Sequence, residues 1–324
     1  MRRREFLGGL AGAAAAWPLA GRAQQPMPVV GYFSGRSLDS DAFLTPFRSG
    51  LEEAGYIVDR NVALELGFSE GRDDQLRAVA EALLRRQVVV LVAGDFPSAL
   101  AATAATTTTP IVFSSGSDPV ELGLVASHNR PGRNATGVHV FVTALGPKRL
   151  NLLRELVPGI KRIAFVVNPT AESAPLQIRE MQAAAQALAQ DIVVMNVANE
   201  QEAEMAFAVM AERKVDAVLY SASLLFQVLR DQLVRLAARH RIPAMYEWRA
   251  FVSAGGLISY STRPVEIGRQ MGSYVARTLK GEEPADLPVV QVTKFEMAIN
   301  LKTAKALGLD IHPQLLARAD EVIE

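Results

Sequence analysis

Six short stretches concentrate side chains that could grip a small molecule by hydrogen bonding. They are Ser34-Gly35-Arg36-Ser37, Gly94-Asp95-Phe96, Ser114-Ser115-Gly116-Ser117-Asp118, Asn168-Pro169-Thr170, Ser221-Ala222-Ser223 and Tyr246-Glu247-Trp248. Hydroxyls, amides and scattered carboxylates suit reversible recognition of a polar solute more than bond making. The equipment of catalysis is sparse. The chain has no cysteine, which excludes disulfides, thiol nucleophiles and iron–sulfur clusters. Its four histidines, His128, His139, His240 and His312, have no His, Asp or Glu at metal-ligand spacing. Gly31-Tyr32-Phe33-Ser34-Gly35 lacks the G-x-G-x-x-G spacing for a dinucleotide, and neither a phosphate-loop motif nor a G-x-S-x-G elbow occurs. Asp95 and Asp118 are the one carboxylate pair that acid–base chemistry could use. Receiving an ammonium group or capping a helix is the simpler role for each. No catalytic residue, metal or cofactor is therefore expected.

The six stretches share a position: each follows a β-branched or aromatic run. Val29–Phe33, Val88–Ala93 and Ile111–Phe113 read as buried strands, and Asn61–Phe68 as another. Helical spacing over Asp41–Gly55, Asp73–Arg86 and Pro97–Ala105 separates them. After Thr136-Gly137 the pattern restarts. Strands over Arg162–Val167, Ile192–Val197, Ala217–Tyr220 and Pro243–Tyr246 alternate with helices over Ala174–Ala189, Glu200–Arg213 and Leu225–His240. The expectation is an α/β chain of two Rossmann-like lobes, each a parallel sheet covered by helices on both faces. Open parallel sheets bind ligands beyond the carboxyl ends of their strands. A single Ser, Asn or Asp there could equally be a helix cap, but serine-rich ends on four strands of both halves point to one shared cleft. Tyr32, Phe33, Phe113 and Phe165 fall inside strands and read as core. Trp248 falls where its ring could face the cleft or pack beneath it.

A two-halves chain would stop near residue 255. The surplus holds Leu257–Tyr260, a helix over Pro264–Lys280, an extended stretch over Pro284–Val292, strand Phe295–Ile299 and a final helix. This is enough to return to the first lobe and cross again, giving a hinge of three segments. The expected organisation is 27–139 plus 261–285 for lobe one and 140–260 plus 286–324 for lobe two.

The first 23 residues combine Arg2-Arg3-Arg4, a short apolar stretch diluted by glycine, and Gly21-Arg22-Ala23. This reads as a twin-arginine export signal cleaved near Ala23, since a spanning helix needs about 20 predominantly apolar residues. The whole chain has 34 basic and 34 acidic residues. Residues 1–23 hold four of the former and one of the latter, leaving 30 against 33. A slightly acidic chain lacks the basic footprint of a nucleic-acid binder.

Several longer stretches carry a resemblance. They include Phe47-Arg48-Ser49-Gly50-Leu51, Ser117-Asp118-Pro119-Val120-Glu121-Leu122-Gly123-Leu124-Val125, Leu150-Asn151-Leu152-Leu153-Arg154-Glu155-Leu156-Val157-Pro158, Met245-Tyr246-Glu247-Trp248-Arg249 and Asn300-Leu301-Lys302-Thr303-Ala304. Over essentially its whole length the chain resembles the bacterial ABC-transporter substrate-binding proteins of the TrpX-like family. It departs from them at Gly94-Asp95-Phe96-Pro97, where relatives are often richer in glycine. The resemblance implies a type I periplasmic binding protein fold, closing on a small polar or aromatic, amino-acid-like solute for an ABC permease in the inner membrane. The implied protein is a periplasmic monomer that binds no nucleic acid. On this reading Ser34, Asp95, Ser115, Ser117 and Asp118 contact ligand from lobe one, and Asn168, Ser221, Tyr246 and Glu247 from lobe two. The competing expectations are a cofactor-free enzyme on the same scaffold, such as an isomerase, and a ligand sensor for a membrane kinase.

Overall fold

The computed structural model describes residues 27–141 and 144–324. The expected export segment, 1–23, lies outside them. Two sheets organise the chain. The first contains β1 (Val29–Ser34), β2 (Ala63–Phe68), β3 (Val90–Ala93), β4 (Ile111–Ser115) and β5 (Ala135–His139). The second contains β6 (Arg162–Val167), β7 (Asp191–Asn196), β8 (Ala217–Tyr220), β9 (Ala244–Tyr246) and β10 (Ile258–Thr262). The last strands divide between them: β11 (Val290–Gln291) joins the first sheet, and β12 (Phe295–Asn300) and β13 (Glu321–Ile323) join the second.

The sheets repeat one topology. The orders are β11-β5-β4-β3-β1-β2 and β13-β12-β10-β9-β8-β6-β7. In each, the strand order reverses beside the first strand of the half, between β1 and β3 and between β6 and β8. Helices on the two sides of such a point diverge, so a crevice opens beyond the strand ends there. The strands flanking it are nearly continuous in apolar residues: Val90-Leu91-Val92-Ala93 is fully buried, as is Ala217-Val218-Leu219-Tyr220.

Two expectations need correction. The second sheet is not wholly parallel, because β12 runs antiparallel to β10. Strand β10 leaves the second lobe at the hinge and β12 re-enters at that same end, so it can only run back along its neighbour. The boundary also moves. Val290-Gln291 pairs with Val138-His139 of β5, so the chain returns to the second lobe after Gln291 and not after 285. Residues 261 and 262, placed in lobe one by sequence, end β10 of the second sheet.

Three crossings lie side by side and are tied together. The Thr262 hydroxyl donates to the Val140 carbonyl at 2.6 Å, Val292 N–H to His139 at 3.1 Å, and Arg263 N–H to Lys294 at 3.1 Å. The returning helix, Pro264–Leu279, buries Ile267, Met271 and Val275 in the first lobe. Its Gly268 and Gly272 stand one turn apart against the helix Leu44–Glu53, whose Gly50 faces them. A Cβ on Gly268 would lie 2.5 Å from the Phe43 carbonyl oxygen, and one on Gly272 would overlap that of Phe47. The helices touch backbone to backbone. Replacing Gly272 by alanine is expected to lower stability by about 1–3 kcal/mol, the cost of overpacking. An unchanged urea midpoint would show that the two helices part freely.

Candidate functional site

The crevice predicted by topology is present. A cleft of about 790 Å³ runs between the lobes, lined by loops that follow β1, β3, β4, β6, β8 and β9. From the first lobe, Asp95 caps the helix Phe96–Ala105, accepting from Ser98 N–H at 2.9 Å and from the Ser98 hydroxyl at 2.6 Å. Its other oxygen accepts from the Ser34 hydroxyl and the Gly35 N–H, both at 2.7 Å. The same oxygen lies 3.5 Å from Nη1 of Arg36. Asp95 is thus a brace that locks the ends of β1 and β3 together.

Arg36 is the hub of the cleft. Only 6% exposed, it donates from Nη1 to the Gly94 carbonyl at 2.9 Å and from Nε to Gln227 Oε1 of the second lobe at 3.1 Å. Its guanidinium covers the Phe43 ring at 4.5 Å. Burial alone would weaken its charge, but Asp41, Asp95, Tyr32 and Glu247 outweigh it, and its pKa is raised. Arg36 is a permanent buried cation.

The second lobe supplies amides and one unusual carboxyl. Asn168 accepts from the Thr170 N–H and hydroxyl at 3.1 and 2.8 Å, and donates to the Ser223 hydroxyl at 3.2 Å. Behind that loop, buried Gln177 exchanges two hydrogen bonds with the Ala222 backbone, at 2.9 and 2.7 Å. Glu247 is 6% exposed and has its pKa pushed up to about 7 by burial, against the pull of Arg149 and Arg36. At the first lobe's rim, Asp73 is raised to about 6 by loss of water around its carboxyl and by the charges of Asp95 and Asp74. Two acids with pKa values raised above the ordinary carboxyl range therefore line a cleft with a fixed cation in its wall.

Of the nine residues expected from sequence, Asp95, Ser117, Asn168 and Glu247 line the cleft. The other five do not. The hydroxyl of Ser34 is committed to Asp95, and that of Ser115 to the Ser117 carbonyl at 2.7 Å. Asp118 accepts from Val120 N–H at 2.8 Å and pairs with His128 at 3.4 Å, away from the cleft. Ser221 is buried behind the loop it begins. Tyr246 is sandwiched between Tyr220 and Phe251, with ring centroids 5.4 and 4.7 Å away. Asp95 lines the cleft and Asp118 does not. Among the described residues, no group of three or more His, Cys, Asp or Glu could hold a metal ion, and no helix is long and apolar enough to cross a membrane.

Sequence reasoning missed Arg36, Phe43, Asp73 and Gln227. Arg36 lies in one of the six stretches, and a basic residue two positions after the strand-end Ser34 is the available signal. Gln227 was hidden because Leu225–His240 read as one helix. It is two, Leu224–Val228 and Arg230–His240, and the break aims Gln227 at the cleft. Trp248, open between two readings, both lines the cleft and meets Phe43 edge-on at 5.8 Å.

The family model described as ABC transporter substrate binding protein matches residues 29–323. A tyrosine-binding protein of Clostridioides difficile is 25% identical over 263 residues, covering 81% of this chain and 75% of that protein. Two crystal structures superpose closely, each 26% identical and each covering 91% of this chain and 99% of the other. One is a conserved domain protein from Vibrio cholerae, with a TM-score of 0.84. The other is an ABC domain from Streptococcus pneumonia in complex with L-Trp, with a TM-score of 0.83.

Proposed function

The chain belongs to the ABC transporter substrate-binding proteins, and from that premise we propose that it captures an L-amino acid, aromatic side chains included, between its lobes. The observation that carries this reading is the pairing, in one cleft, of a buried cation with ionisable carboxyls from both lobes. A zwitterion needs both. Arg36 presents its guanidinium to the ligand carboxylate, and Glu247 and Asp73 receive the ammonium. Ser117, Asn168 and Ser223 supply neutral hydrogen bonds, and Phe43, Phe96 and Trp248 supply ring faces for the side chain. Similarity to the tyrosine-binding protein and to the Trp complex supports the same ligand class. Because the contacts come from both lobes, ligand favours the closed arrangement through its differential affinity.

The rest of the biology follows the same reading. Residues 1–23 direct twin-arginine export, cleavage near Ala23 releases a monomer to the periplasm, and the closed protein delivers its solute to an inner-membrane permease without chemical change. Thermal melting with a panel of amino acids tests the core of it. A ligand held 100-fold above its dissociation constant should stabilise by about 2.7 kcal/mol, and the emission of Trp248 should change with the same concentration dependence. Melting points unmoved by tryptophan, tyrosine, phenylalanine and the aliphatic amino acids would overturn the amino-acid reading.

A further inference from the structure

Behind the main cleft lies a second chamber of about 440 Å³, also between the lobes and next to the hinge helix. Its surface is largely apolar, from Ala42, Phe251, Pro264 and Val265, with Ser40, Arg230, Arg249 and Glu296 as polar points. Four residues line both spaces: Arg36, Phe43, Gln227 and Trp248. They form a wall, and it has two layers. The Arg36–Gln227 hydrogen bond of 3.1 Å is one, and the Phe43–Trp248 edge-to-face contact is the other. Arg36 also stacks on Phe43, so the layers are joined. In each layer one partner belongs to the first lobe and the other to the second. The wall therefore exists only when the lobes are together.

We propose that this wall is the length gauge of the binding site: closure completes it only around a ligand that ends in the main cleft, and opening it admits a ligand one residue longer into the rear chamber. The proposal deepens the amino-acid reading and rests on it. The physical argument is exclusion. A ligand long enough to reach past Phe43 must occupy the space where Phe43 meets Trp248, so the lobes cannot meet and neither layer forms. Such a ligand keeps whatever contacts one lobe offers but loses those that depend on closure. The rear chamber's chemistry names what would enter a breached wall: the apolar side chain of a second residue, beside Phe251, Pro264 and Val265, as in a dipeptide.

Calorimetric titration of the full chain with L-phenylalanine and with L-phenylalanyl-L-phenylalanine tests this, on the wild type, Phe43→Ala and Gln227→Ala. Phe43 is buried, so Gln227→Ala, which removes the other layer at a half-buried position, guards against loss of folding. The wild type should prefer the single amino acid by about tenfold or more, and Phe43→Ala should shift that ratio by about tenfold or more toward the dipeptide, the worth of burying one further apolar side chain. Gln227→Ala should shift it the same way by less. X-ray scattering should show the dipeptide compacting Phe43→Ala but not the wild type. Ratios that match in all three proteins, or a wild type that compacts around the dipeptide, would overturn the gauge while leaving amino-acid capture intact. A wild type that takes neither these two ligands nor any amino acid of the melting panel would remove the amino-acid reading and the gauge with it.

Discussion

Asp95→Ala should lower the stability of the first lobe by about 3–5 kcal/mol, the largest effect expected of any single change in the cleft. Four hydrogen bonds converge on this carboxylate, from Ser98 twice, Ser34 and Gly35. Loss of the helix cap alone costs about 1 kcal/mol. The larger part comes from Arg36, which stays buried and charged after its partner is gone; uncovering one half of a buried pair costs about 3–5 kcal/mol. Asp41 and Glu247 still face Arg36 and keep the loss from going higher. Asp95→Asn retains the cap acceptor but not the charge, and should fall between the two. Urea denaturation followed by far-UV circular dichroism reads both variants. A loss below about 1 kcal/mol for alanine would show that water reaches Arg36 and that Asp95 is not the brace of this lobe.

Asp95 also shows how far the sequence reaches. Its place at the end of β3, beside a switch in strand order, follows from the Val-Leu-Val-Ala run and the helix after it. That it braces β1 while lining the cleft does not, because the hydroxyl of Ser34 that meets it lies 61 positions away. The same limit explains Ser34, Ser115 and Ser221. A serine at a strand end can turn toward the ligand or toward the adjoining strand, and its neighbours in sequence do not decide which. Strand β5 is hard to read from the sequence for a different reason. Ala135-Thr136-Gly137-Val138-His139 carries a glycine at its centre and reads as a break. The structure needs that glycine there, since a Cβ would overlap the backbone of Phe113 on β4. What is legible are the elements with strong periodicity and the loops that join them. What is not are contacts made across sixty or two hundred residues, and both contacts that close the wall between the lobes, Arg36 to Gln227 and Phe43 to Trp248, are of that kind.

Glu247→Gln should remove a pH dependence that the wild type carries between about pH 4.5 and pH 7. The carboxyl has a pKa of about 7 in the folded protein because burial disfavours its charge more than Arg149 and Arg36 favour it. In the unfolded chain it ionises near the ordinary value of about 4.3. Between these values the folded state holds a proton that the unfolded state has released, so stability falls as pH rises. The full contribution is present below the unfolded pKa and is lost by the time pH passes the folded one, a change of about 3 kcal/mol. Glutamine keeps the shape and never ionises, so at pH 8 the variant should be the more stable protein and at pH 4 about equal to the wild type. His139 complicates either curve alone. Burial lowers its pKa to about 4, and it costs stability as the medium is acidified below about 6.5. It is common to both proteins and cancels in their difference, which is the quantity to plot. On the proposed reading this carboxyl would receive the ligand ammonium, and binding should then release a proton near pH 6 in the wild type and fewer in the variant, seen as a titration enthalpy that depends on buffer ionisation. A difference curve flat from pH 4 to pH 8 would mean that Glu247 ionises in the folded protein as it does in the unfolded chain, its burial offset by Arg149 and Arg36. The cleft would then carry a fixed negative charge where a switchable one is expected.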